Sequence, residues 1–433
     1  VFVIIFLCDF GAEDISGFIR RITQMNNPSL QNNAEKDPVE NGTTLSAQLA
    51  PIVFLTAIFF LNFLARIILS PLTPAIENDM GLSHGEVGSF FLFITIGYFI
   101  SLAGSGIIYS RISHRLTITV SSIATGFVLV FSACIADSAW AISACVFVLG
   151  LVSGFYFPSG MATITHLVNP RHWGSAIAVH ELAPNLGFVM APLVAEVLMI
   201  WFSWRGVMAA IGFASLLTGV FFILFGRGGE FTGERPNFDS IRSLLRRQSF
   251  WVMAVLFSLG ISSTVGIYSM LPLYLVADHG IFRVQANTIV AISRVSTLFI
   301  VFFAGWASDR FGAARIINIV FFLTGIMTVL IGLANTSWII LIVLLQPIFA
   351  VCFFPVGFAL LSSIVPPQDR ALAVSLALPV SFMIGAGFVP MGIGFMGDAG
   401  QFELAFIILG IVIFSGSILL GFVRLRDQTG KVL

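Results

Sequence analysis

Apolar runs of about 20 residues recur along the whole chain, each closed off by a short cluster of charged or turn-forming residues. That is the length of helix needed to cross about 30 Å of hydrocarbon. Inside a bilayer the backbone polar groups must be satisfied within the segment, so runs of this kind fold as helices. Reading them between polar clusters gives twelve candidate spanning helices, α1–α12, at 50–75, 86–109, 117–136, 139–168, 173–202, 206–226, 250–276, 285–308, 315–335, 338–365, 370–396 and 402–424. The composition agrees: 58% of residues are hydrophobic and 10% charged, whereas a soluble domain is about 25% charged. A soluble enzyme, a nucleic-acid binder and a secreted disulfide domain are excluded, and the lipid bilayer is the expected surrounding. Cys8, Cys134, Cys145 and Cys352 lie among apolar residues without metal-ligand spacing, so they read as small membrane-buried side chains. No metal and no cofactor is expected.

Residues 1–49 read as a polar tail and 227–249 as the longest polar interruption after it, dividing a first six-helix bundle (50–226) from a second (250–424), with 425–433 a short second tail. With the N-terminus in the cytoplasm, only Arg205 and Arg283 of the 21 basic residues fall outside and only Arg66 and Arg294 fall within helices; all others lie inside. So strong a bias fixes the expected topology, a multi-pass cell-membrane protein with both termini cytoplasmic. The Asn41-Gly-Thr glycosylation triplet would then face the cytoplasm. The halves also repeat one another. Gly106–Arg111 aligns with Gly305–Arg310, Pro158–Ala162 with Pro355–Ala359, and Ala176–Pro184 with Ala371–Pro379, at nearly one spacing. Two parallel repeats place a binding site between them near the midplane.

The loop between α8 and α9 carries Gly305, Asp309, Arg310, Gly312 and Arg315 in the pattern G-x-x-x-D-R-x-G-x-x-R. In this the chain resembles the major facilitator superfamily of secondary transporters, which implies an all-α membrane fold of two pseudo-symmetric six-helix bundles. The first copy of the signature keeps Gly106, Arg111 and Arg115 but has Ser110 and Ser113 where Asp and Gly are usual. A finer resemblance is to the organic anion:cation symporter branch, carried by Arg66, Pro74, Asp79, Gly81-Leu82-Ser83, Gly97-Tyr98 and the spaced Gly150, Gly154 and Pro158. Two positions depart from it: Ala65 stands where that branch has an Asp, and Cys145–Val148 lacks its Arg. The resemblance implies that Asp309 and Arg310, with Arg111 in the degraded copy, serve the inner gate.

A charge at bilayer depth costs several kcal/mol unless paired or hydrated, so Arg66, Arg294, Glu181, Glu196 and the adjoining His180 are the functional candidates. By the repeat, Arg294 corresponds to Thr95 and Arg66 to about Thr264, so neither arginine has a symmetry mate. Recognition of an asymmetric substrate accounts for this better than structure does. A guanidinium is a permanently charged fork of donors suited to carboxylate or phosphate, and the competing expectation is that each arginine pairs internally with Glu181 or Glu196. Glu181 and His180 align with Leu376 and Ser375 and are the candidates for proton coupling. Tyr98 and Tyr268 are the preferred cavity residues among the polar side chains Tyr156, Tyr274, Asn62, Asn185 and Gln346.

The expected function is a secondary active transporter of a small organic anion, coupled to H+ and working as a monomer. The alternative is an exporter or flippase-like carrier of amphipathic or lipid-like compounds, suggested by 45 Phe residues. A membrane-embedded enzyme finds no nucleophile–base set, metal cluster or nucleotide loop to support it.

Overall fold

The computed structural model describes residues 45–233, 238–364 and 370–422. Twelve helices in it are long and apolar enough to span a membrane: α1 Gln48–Met80, α2 His84–Tyr109, α3 His114–Ile135, α4 Ala139–Leu167, α5 Trp173–Leu198, α6 Trp204–Phe225, α7 Gln248–Ala277, α8 Arg283–Phe311, α9 Ala313–Leu333, α10 Ile339–Leu361, α11 Leu372–Asp398 and α12 Phe402–Leu420. Among the described residues the only strand-like pairing is an isolated bridge between Ser113 and Thr232. Most of the first tail, with Cys8 and Asn41, and all of the second lie outside the described residues, whereas 45–49 already belong to the first helix.

Boundaries shift where hydropathy and hydrogen bonding part company. The reading to residue 75 cut α1 short: the helix continues through Glu77, Asn78 and Asp79 to Met80, because polar side chains do not interrupt a backbone ladder. Conversely α5 stops at Leu198, and the apolar Ile200, Trp201 and Phe202 lie exposed beyond it. The start of α2 is closed by a capping box, Ser83 Oγ accepting from the Glu86 amide while the Glu86 carboxylate accepts from the Ser83 amide. Between α6 and α7 runs a short helix, Phe238–Leu245. The preceding segment is pinned to the start of α3 by the His114 amide on the Phe231 carbonyl (3.0 Å) and by Arg115 on Glu230 (2.8 Å).

Prolines inside helices remove ladder donors, and the freed carbonyls are collected by side chains. Pro74 cannot bond the Ser70 carbonyl, and the Thr73 hydroxyl donates to it instead at 2.7 Å. Pro272 likewise frees the Tyr268 carbonyl, which accepts from the Ser70 hydroxyl at 2.7 Å. That bond joins α1 to α7 and so one half to the other. Close approach within a bundle rests on small residues: a Cβ on Gly97 would collide with the Phe147 carbonyl, and one on Gly150 with the Ile94 carbonyl, which locks α2 against α4.

The end of the bundle bearing the α2–α3, α6–α7 and α8–α9 connections is the basic end; the opposite one is the far end. Cross-half packing joins Leu69–Met80 of α1 to Ile267–Ala277 of α7, Arg283–Val295 of α8 to α5, and α2 to α11. The basic segment of α8, Thr297–Phe311, touches α5 only sparsely. The halves therefore meet along their far segments and part toward the basic end.

Candidate functional site

Arg294, 2% exposed on α8, donates from Nη2 to the Thr264 carbonyl at 3.0 Å, and its Cζ lies 5.0 Å from the ring centre of Tyr268 and 5.1 Å from that of Phe188. Arg66, 9% exposed on α1, has Cζ 4.2 Å from the Tyr98 ring and 5.2 Å from that of Phe63. The two clusters are continuous. Phe63 meets Phe188 edge-on at 5.1 Å, Phe188 meets Tyr268 at 4.9 Å, and Tyr98 meets Phe382 of α11 at 5.8 Å. Aromatic side chains of α1, α2, α5, α7 and α11 thus surround two guanidinium groups supplied by opposite halves.

The expected internal pairs with Glu181 or Glu196 are not formed. Among the described residues no carboxylate pairs with either arginine, and Nε of both is buried without a hydrogen-bond partner. Ring faces supply roughly 0.5–2 kcal/mol per cation–π contact, against a burial cost of several kcal/mol for each charge. The site is therefore short of negative charge and holds unspent donors.

A local break in helix geometry positions Arg294. Ser262–Gly266 of α7 form a π turn and pack on a second π turn, Met383–Phe388 of α11. The approach depends on glycine, since a Cβ on Gly385 would lie 2.6 Å from the Ser262 amide nitrogen. Side chains from elsewhere bind two carbonyls of the α7 turn: Gln346 of α10 donates to Ser263 at 2.8 Å, and Arg294 to Thr264. π turns concentrate at functional sites because they redirect backbone groups out of the regular ladder. By the spacing of the sequence repeat, Thr264 falls at about the place of Arg66 and Thr95 at that of Arg294, so each half would hold one Arg and one Thr with the helices exchanged.

Glu181, Asn185 and Phe188 share one face of α5 by their i, i+4, i+7 spacing. Phe188 points to the arginine cluster, and the Glu181 side chain, 44% exposed, lies on the same side toward the basic end. His180, one residue earlier, is fully buried and faces α1 and α4. It stacks on Phe59 at 4.5 Å and beside Tyr156 at 5.9 Å, with Nε2 at 3.1 Å from the Tyr156 hydroxyl.

Glu196 belongs to a different group. It accepts from Arg283 at 3.2 Å and from Asn287, whose amide also donates to the Pro71 carbonyl at 3.1 Å, tying α1, α5 and α8 together at the far end. Nearby, Asp398 of α11 caps the first turn of α2 through the His84 and Gly85 amides, at 2.7 and 3.0 Å. Asp79 accepts from Arg205 at 2.6 Å and from the Trp204 indole at 2.9 Å. A far-end cavity of about 600 Å³, lined by Pro74, Glu77, Trp204, Leu273 and Arg283 among others, lies outside this belt. At the basic end Arg111, Asp309 and Arg310 are exposed, Arg310 lying 5.9 Å from the rings of Trp306 and Phe311. Among the described residues Asp309 forms no ion pair.

The structure brings Arg66 together with Tyr98, Arg294 with Tyr268, and His180 with Glu181. Phe63, Phe188 and Phe382 were not singled out by sequence, where nothing separates them from the other Phe residues. The one signal for Phe188 was its helical register with Glu181.

The Major Facilitator Superfamily family model matches residues 55–292 and 263–432. Similar curated proteins include a "Probable L-galactonate transporter" of Escherichia coli K12, 23% identical over 85% of this chain and 86% of its own length, and a "Probable nitrate transporter NarT" of Staphylococcus aureus, 22% identical over 81% and 89%. Among solved structures, a bacterial homologue of the human lysosomal transporter Spinster, in an inward-facing and occupied conformation, superposes with a TM-score of 0.74 at 17% identity. The match covers 86% of this chain and 96% of that one.

Proposed function

Because the chain belongs to the major facilitator superfamily and is therefore a multi-pass membrane transporter rather than an enzyme, we propose that it is a secondary active transporter of a small organic anion, coupled to protons and working by alternating access. The observation that carries this reading is the pair of buried, carboxylate-free arginines, one from each half. An anion bridging them would supply the missing charge and link the two halves at the level about which they rock. The names of the L-galactonate and nitrate relatives, both anion carriers, support the same class, as do the residues shared with the organic anion:cation symporter branch. Tyr98 and Tyr268 would shape the site through their ring faces. An exporter of amphipathic or lipid-like compounds needs an apolar passage, and two buried fixed charges disfavour it.

The distribution of basic residues supports a cell-membrane protein with cytoplasmic termini, so the gap at the basic end would face the cytoplasm. Arg111, Asp309 and Arg310 would serve the gate on that side. A monomer holds a complete site, since both arginines come from one chain.

The test is uptake into proteoliposomes from a library of carboxylates, sugar acids and inorganic anions, L-galactonate and nitrate included, with and without an imposed pH gradient. Arg294→Lys keeps the charge but loses the fork; a charge-assisted hydrogen bond is worth about 1.5–3 kcal/mol, so affinity should fall about 10- to 100-fold, and further in Arg294→Ala. Unchanged affinity in both variants rejects the assignment.

A further inference from the structure

The Tyr156 hydroxyl has one proton, and the 2.6 Å bond to the Leu55 carbonyl uses it, because a carbonyl can only accept. Toward His180 Nε2, 3.1 Å away, the hydroxyl can then only accept, so Nε2 carries a proton. In the neutral imidazole the lone pair is consequently at Nδ1. That atom is fully buried, has no hydrogen-bond partner, and lies 3.6 Å from Glu181 Oε1, just beyond bonding range.

From this geometry we infer that His180 Nδ1 and the Glu181 carboxylate form a single proton-binding site, which takes up the coupling proton; the inference rests on the proton-coupled reading above and names its site. A proton arriving through the gap at the basic end reaches the half-exposed carboxylate first. Added at Nδ1 it makes an imidazolium hydrogen-bonded to Glu181; added at Oε1 it makes a carboxyl donating to Nδ1. Either way one new hydrogen bond forms, no other group is displaced, and the charge of the pair goes from −1 to zero. The ring face of Phe59 stacks on the imidazole at 4.5 Å while Tyr156 lies beside it, so an imidazolium would rest on one aromatic face. A fixed structural histidine would have its second nitrogen bonded, whereas here Nδ1 is buried, without a protein partner, and 3.6 Å from a carboxylate.

Among the described residues, the groups shown in contact with the pair carry no competing charge. From α1 come Leu55 and Phe59, and from α4 Tyr156. The charged residues of α6 and α8 are engaged or placed elsewhere: Arg205 with Asp79, Arg283 with Glu196, Arg294 at the π turn, and Asp309 and Arg310 at the basic end. Phe59 also meets Phe63 at 6.4 Å, and Phe63 borders Arg66, so the proton site and the arginine cluster share one aromatic wall. Neutralising Glu181 removes a negative charge that opposes an anion at the arginines, so proton and anion favour each other's binding.

The experiment uses the full chain, labelled with 15N-histidine, in lipid bilayers, with solid-state NMR spectra from pH 9 to pH 4 and the His180 signal assigned by its loss in His180→Gln. At high pH the signal should be that of an Nε2–H tautomer, and on acidification it should become doubly protonated or show Nδ1 accepting a hydrogen bond. Glu181→Gln should change the response of the His180 signal to acid, because the group that shares the proton with Nδ1 is gone, while leaving the other five histidines unmoved. An Nδ1–H tautomer at high pH, a signal constant across the range, or a response in Glu181→Gln identical to the parent's overturns the inference. None of these readings needs a substrate. Failure of every anion in the uptake screen would reject the transport reading and leave the proton site decided by the spectra alone.

Discussion

Tyr156 meets three groups at once: its hydroxyl bonds Leu55 and His180, and its ring stacks on Phe59 at 5.4 Å. Tyr156→Phe keeps the ring but leaves the Leu55 carbonyl and His180 Nε2 without their partner, at a cost of about 1–3 kcal/mol for a buried unsatisfied group. A lower unfolding temperature in detergent is expected, and an unchanged one would mean that water replaces the hydroxyl. Glu181→Gln is uncharged at every pH, so it should exchange substrate across the membrane yet lose accumulation driven by a pH gradient; a variant that concentrates substrate like the parent would make Glu181 a structural group. At this scale the sequence exposes charge but not partnership. Arg66, Arg294, Glu181 and His180 stand out because ionisable residues are rare in apolar runs. Which of them pair is decided by helix rotation and by carbonyls released at prolines and π turns, so the partners of Glu196 were not legible until Arg283 and Asn287 were placed beside it.

Helices of this bundle are legible in the sequence as apolar runs, since the bilayer leaves the chain few other choices. Their irregularities are not. Nothing in Ser262–Gly266 or Met383–Phe388 marks a π turn except the glycines, which are equally common where helices only pack closely. Gly385→Val should drive a side chain into the Ser262 backbone. Relieving that contact moves the α7 turn and with it the carbonyl that orients Arg294. The expected result is a loss of about 1–3 kcal/mol in stability, the usual cost of overpacking, together with weaker substrate binding. Normal binding in a destabilised variant would separate the turn from the site.

Over the whole molecule, the far end is held by bonds between the halves: Arg283 and Asn287 on Glu196, and Asp398 on the start of α2. Alternating access requires these to break when the far side opens. Glu196→Gln weakens the first set, and a shift of 1–2 kcal/mol changes the ratio of the two states about 5- to 30-fold. A cysteine introduced at Asn78, which lines the far-end cavity, should then react faster with an impermeant maleimide in a background lacking the native cysteines. Asp309→Asn at the other end should alter labelling of the basic-end gap without abolishing binding, and equal labelling in variant and parent would count against a gating role. The exchange of Arg and Thr between equivalent positions has one more consequence. A pseudo-twofold that maps Arg66 to about Thr264 and Arg294 to Thr95 cannot superpose the two guanidiniums, so the two ends of the space between them are not equivalent. An acid with unlike ends is then held in one orientation, its stereocentre faces one fixed set of neighbours, and transport should discriminate between enantiomers of one hydroxy acid.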